Sequence, residues 1–256
     1  FGPTESIGRG AARAAPRPRP ASRLPSSAMV PAAPCVVVRL EPITRDGDAQ
    51  VVAATVAGVG RDSYRLWYRL PGDALVDDLS RAHAFTISVL HQAMAVGRDL
   101  EIDGPLTRGL VRHLEDYQRV WSTWEPRRFR TVAIRPAALL DDEPYRPGRG
   151  MLVGFSGGLD SVHAALGLAE EGVLAGLVTV RGLDLPLDDD PRFEGAMACA
   201  RAMSGWLRCP VHVTSTNWEA VMPALSGYVG YFMFTVAAQL LMSRAGGAIA
   251  VLSGYA

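Results

Sequence analysis

Hydrophobic and polar positions along this chain repeat with two different periods, and the switches between them divide it into strands and helices. Residues 35–40, 51–56 and 64–70 are short runs rich in Val, Leu and Tyr that read as strands. In the third, Tyr64, Leu66 and Tyr68 fall on one face and Arg65, Trp67 and Arg69 on the other. Asp46, Gly47 and Asp48 supply turn chemistry between the first two. From residue 77 to 96 the period lengthens to that of a helix, with Leu79, Ala82, Thr86, Val89, Leu90 and Ala93 on one stripe and Gly97 as its stop. A short strand at 100–102 and a turn at Asp103, Gly104 and Pro105 follow. A second helix then carries Leu106, Leu110, Leu114, Tyr117 and Trp121 and ends before Pro126, and residues 131–134 form a further strand.

Residues 141–150, acidic and bearing Pro and Gly, are expected to be a linker. Beyond it the alternation becomes regular. Strands at 151–155, 174–180, 211–214 and 248–252 alternate with helices at 162–171, 190–207 and 228–244. Strands separated by helices imply a parallel sheet with right-handed crossovers. The expected architecture is α/β: a small α/β domain over residues 29–146, followed by a doubly wound, Rossmann-like parallel sheet over 147–256. Residues 1–28, rich in Pro, Arg, Ala and Ser, are expected to be disordered. Pro16, Pro18 and Pro20 argue against an amphipathic transit helix there, and Met29 is the expected natural start.

The candidate chemistry is concentrated in residues 151–161, Met-Leu-Val-Gly-Phe-Ser-Gly-Gly-Leu-Asp-Ser. A brief apolar strand gives way to a glycine pair flanked by hydroxyls and one carboxylate. Gly157 and Gly158 let backbone N–H groups approach an anion, and Asp160 or Ser161 is expected to cap a helix beginning at Val162. No Walker A loop is present, since the chain lacks GxxxxGK[ST] and contains no lysine.

Ser156, Gly157, Gly158, Leu159, Asp160 and Ser161 match every position of the SGGxDS signature, and the chain thereby resembles the PP-loop ATP pyrophosphatases. This superfamily includes GMP synthetase, NAD synthetase, argininosuccinate synthetase and 7-cyano-7-deazaguanine synthase, the last being among the nearest in pattern. The resemblance implies an ATP-dependent, AMP-forming ligase that activates a substrate oxygen, releases pyrophosphate and admits an N or S nucleophile. It implies ATP and Mg²⁺ as cofactors. Ser156 and Asp160 are the implied catalytic residues, with Asp160 on the metal. Phe155, Ser156, Gly157, Gly158, Leu159, Asp160, Ser161, Arg181, Ser253 and Gly254 form the implied nucleotide site. Arg181 is a candidate for the substrate or the α-phosphate, or else for an ion pair with an acid among residues 184–190. A non-catalytic adenine-nucleotide-binding module and a base-thiolating enzyme are the alternatives. The superfamily's nucleotide domain has five parallel strands where four are legible here, so the natural protein is expected to extend past Ala256 and this form to catalyse poorly.

Composition narrows the partners. Twenty-six arginines balance 26 acids, so no bulk charge draws the chain to nucleic acid or to a membrane surface. The expected partners are ATP, a small-molecule, base or peptide substrate, and further copies of the chain through an uncovered edge. Cys35, Cys199 and Cys209 lack paired spacing, which argues against structural zinc and for a reducing, cytoplasmic setting, with Cys199 expected as a buried thiol. His83, His91 and His113 share no metal-ligand spacing and are expected at the surface or half-buried. The apolar stretch within 228–242 is too short for the roughly 20 residues of a membrane span.

Overall fold

A computed structural model describes residues 35–142, 150–183, 185–221, 228–246 and 249–251. The first strand, β1 (Val36–Leu40), is followed by the short β2 (Thr44–Asp46), β3 (Ala49–Ala57) and β4 (Tyr64–Pro71). Helix α1 (Asp78–Val96), strand β5 (Leu100–Thr107), helix α2 (Arg108–Trp124) and strand β6 (Ile134–Leu140) complete the first half. The second half runs β7 (Met151–Gly154), α3 (Leu159–Glu170), β8 (Leu174–Arg181), α4 (Asp190–Leu207) and β9 (Val211–Thr216). It closes with the single turn α5 (Trp218–Val221), α6 (Tyr228–Gly246) and β10 (Ile249–Val251).

The α/β expectation holds, and a single mixed sheet runs through both halves. Its order is β10-β7-β8-β9-β4-β3-β1-β5-β6, with β2 hung on β3. Strands β10, β7, β8 and β9 are mutually parallel, and so are β1, β5 and β6. Antiparallel pairing of β9 with β4, β4 with β3 and β3 with β1 joins the two parallel blocks. The stretches expected as separate domains therefore share one sheet, and the described residues fall within one compact unit. The predicted disordered segment 1–28, most of the linker and residues 252–256 lie outside the described residues.

Two apolar layers enclose the sheet. On one face α1, α2 and α6 cover Val36, Val52, Leu66, Tyr68 and Leu152. On the other, α3 and α4 pack over Val153, Phe155 and Leu177, with Phe193 and Met197 supplied by α4. The predicted faces of β4 are realised, since Leu66, Tyr68 and Leu70 are buried while Arg65 and Arg69 are exposed. Helix α1 goes beyond its predicted stripe. Gly97 closes it at φ 65°, as the pattern implies, and Asp77 and Ser80 form a capping box at its start. Yet Ser80, Arg81, Ser88, His91 and Gln92 are buried too, because α6 and α2 flank the face that an isolated amphipathic helix would leave in water.

Three boundaries differ from expectation. The turn predicted at Asp103, Gly104 and Pro105 is an irregularity inside β5, where pairing with β6 shifts register. Helix α2 starts at Arg108 with Thr107 as its cap, so Leu106 belongs to the strand. The last strand of the first half lies at Ile134–Leu140 instead of 131–134, because Leu100 and Ile102 of β5 align with Ile134 and Pro136.

Candidate functional site

The chain leaves β7, adds β8 and β9 on one side, and returns through β10 to the other side of β7. The order thus reverses at β7, and the carboxyl end of a strand at such a reversal opens into a crevice between oppositely directed connections. Residues 155–158 occupy that end.

Several elements hold β7 and its loop. Gln239 of α6 is fully buried and donates from Nε2 to the Leu152 carbonyl at 3.2 Å. A Cβ on Gly154 would meet Thr235 Cγ2 at 2.8 Å, so this helix approaches the strand only because residue 154 is glycine. Phe155 donates its N–H to the Val178 carbonyl at 2.8 Å, and its own carbonyl accepts the Thr179 hydroxyl at 3.2 Å. The Phe155 side chain is buried in the core, so it serves the loop through its backbone.

Helix α3 begins at Leu159, three residues before the predicted start at Val162. Its N-cap is Gly158, extended at φ −75° and ψ 164°, with no side-chain cap bond. The predicted caps are therefore corrected. Asp160 stands inside the first helical turn with its carboxylate exposed. Ser161 is buried and donates to the Gly158 carbonyl at 2.9 Å. With glycine at the cap, no capping side chain accepts from the first-turn amides at the positive end of the helix. Gly157 takes φ 80°, the left-handed region that favours glycine. Ser156 Oγ accepts the Gly158 N–H at 3.3 Å and lies 3.4 Å from Ser161 Oγ, both long contacts. Leu159 is 83% exposed at the same mouth.

The remaining predicted residues are placed less favourably. Arg181 pairs with Asp190, donates to the Leu187 carbonyl at 2.5 Å and lies over the Phe193 ring at 4.8 Å. The ion-pair alternative is thus realised, and the guanidinium is committed to the connection between β8 and α4. Asn217, just past β9, turns to β4: its Oδ1 accepts the Trp67 N–H at 2.9 Å and its Nδ2 donates to the Arg65 carbonyl at 2.8 Å. Asp184, Ser253 and Gly254 lie outside the described residues.

Other expectations are overturned by packing. Cys199 is exposed instead of buried, and its Sγ lies 3.3 Å from the place a Cβ on Gly157 would take. His91 is buried among Tyr117, Trp121 and Phe129, with Nε2 3.1 Å from the Tyr117 hydroxyl. Burial, aided by nearby Arg128, pulls its pKa down to about 4. His83 is half-buried and His113 exposed, as expected, and His83 Nε2 accepts the Thr107 N–H at 3.2 Å. Among the described residues no group of three or more His, Cys, Asp or Glu is arranged to hold a metal ion. No described helix is long and apolar enough to cross a membrane.

Thr179, Cys199, Thr235 and Gln239 were not predicted as site residues. The legible signals were a hydroxyl inside the apolar run Leu-Val-Thr-Val and a buried amide in an otherwise apolar helix. No protein-family model matches this chain, and neither does any curated protein or solved structure.

Proposed function

We propose that this chain binds ATP with Mg²⁺ at residues 155–161 and is an AMP-forming ligase of the PP-loop type, built on a doubly wound, Rossmann-like block of strands. One observation carries the reading: the SGGLDS loop sits at the end of the strand where sheet order reverses, and its glycine cap leaves the first-turn amides without a capping side chain. Glycine at 157 fits a phosphate cradle, because the residue takes φ 80° and a Cβ there would press on Cys199 Sγ at 3.3 Å.

In this reading ATP supplies a good leaving group: a substrate oxygen takes AMP as pyrophosphate departs, and a nitrogen or sulfur nucleophile then displaces AMP. The amides of Gly157, Gly158 and Leu159 and the Ser156 hydroxyl bind the pyrophosphate oxygens and oppose the charge that gathers there. Ser161 supports them from below by holding the Gly158 carbonyl. Asp160 would hold Mg²⁺, whose hard-oxygen preference suits one carboxylate with phosphate and water oxygens. Arg181 positions the connection from β8 to α4 through Asp190.

The commitment of Arg181 also favours a second reading, a nucleotide-binding module without turnover, because it removes from the mouth the cation predicted for the α-phosphate. Product analysis after incubation with Mg²⁺ and ATP separates them. AMP with pyrophosphate supports the ligase, and binding without products supports the module. Absence of ATP affinity by calorimetry overturns both.

A further inference from the structure

Thr179 places a buried hydroxyl between Leu177 and the half-buried Arg181 on one face of β8. It shares that face with Leu177, and Val153 and Phe155 stand beside them on β7, all buried against α3 and α4. A valine has nearly the same shape and suits a buried strand better, so a hydroxyl here departs from the local rule. Thr179 is 6% exposed, and its hydroxyl donates to the Phe155 carbonyl at 3.2 Å, immediately before Ser156. Regular pairing of β7 with β8 extends to Gly154 opposite Val178, and the Phe155 N–H still reaches the Val178 carbonyl. The Thr179 hydroxyl satisfies the next carbonyl as the chain veers from the sheet, where a buried acceptor would otherwise lack a partner.

We infer that Thr179 is a positioning residue for the phosphate loop: by holding the Phe155 carbonyl it sets the direction in which the amides from Gly157 onward point. This rests on the nucleotide-binding reading above. The bond acts on the peptide plane at the base of the loop, so its loss is felt by the group that the loop amides cradle and not by a group held elsewhere in the crevice. The ligands that report it are ATP and inorganic pyrophosphate, with AMP as the control.

The test compares wild type, Thr179→Val and Thr179→Ser by calorimetry with these three ligands, and by hydrogen exchange of amides 156–161. Loss of one hydrogen bond predicts ATP and pyrophosphate binding about tenfold weaker in Thr179→Val, with AMP affinity changed less than about twofold. Thr179→Ser keeps the hydroxyl and should restore wild-type binding. Exchange at Gly157, Gly158 and Leu159 should accelerate in the valine variant alone. Should that variant not fold, Thr179→Ala replaces it in the same comparison. Unchanged ATP affinity, failure of serine to rescue, or equal loss of all three ligands together with thermal stability overturns the inference. If wild type binds neither ATP nor pyrophosphate, the nucleotide reading fails; unaltered loop exchange then overturns the positioning role, and accelerated exchange retains it.

Discussion

Cys199 of α4 stands directly beneath Gly157, its Sγ 3.3 Å from the position of the absent Cβ. A glycine in the left-handed region thus faces a thiol from a helix about 40 residues later, and a side chain at 157 would crowd that sulfur. Gly157→Ala carries two penalties, the positive φ and the crowding of sulfur. We expect a loss of roughly 1–3 kcal/mol of stability, read by urea unfolding. In Gly157→Ala/Cys199→Ala the crowding is relieved and the φ penalty stays, so the double variant should be more stable than the sum of the single effects. Strict additivity would show that the two residues do not share this space.

Cys199 also reports on ligand binding, because it is exposed while Cys209 is buried. Alkylation followed by mass spectrometry should modify Cys199 readily, and Mg²⁺ with ATP should slow that reaction without slowing it at Cys35. Equal protection of both thiols, or of neither, would count against nucleotide occupying the loop.

Asp160 is exposed in the first turn of α3. Asp160→Asn should therefore leave thermal stability within about 0.5 kcal/mol of wild type. Its affinity for ATP should become insensitive to Mg²⁺, and AMP formation should fall at least about a hundredfold as the metal is lost. Ser156→Ala should weaken ATP binding by about tenfold through its lost hydroxyl. An Asp160→Asn variant with wild-type Mg²⁺ dependence would remove this residue from the metal site.

The aromatic enclosure of His91 makes stability depend on pH. The folded-state pKa is about 4, below the ordinary 6.5, so between these values the unfolded chain binds the extra proton. Stability is then full above about pH 6.5 and falls as pH drops toward 4, where the folded state protonates too. The gap corresponds to at most roughly 3 kcal/mol. His91→Phe should flatten urea unfolding midpoints across that window, and an unchanged slope would place the titration on another group.

The order of the longer strands and helices, the turn at Gly47, the glycine stop of α1 and the loop between Met151 and Ser161 were legible in the sequence. Each depends on neighbours within a turn or two, where apolar period and glycine or proline chemistry act locally. The tertiary structure alone decided that β4 and β9 join two parallel blocks into one sheet. Asn217 bonds Trp67 across 150 positions, and no local pattern states which strand edge will meet which. Burial of His91 and Gln92 likewise follows from the arrival of distant neighbours around α1, including α6 far down the chain. At the loop, sequence specified the residue types, but capping passed to Gly158 and Arg181 turned away to Asp190. The second outcome arises from where the β8 connection and α4 come to rest, because competing partners are chosen by three-dimensional proximity, which residue spacing does not encode.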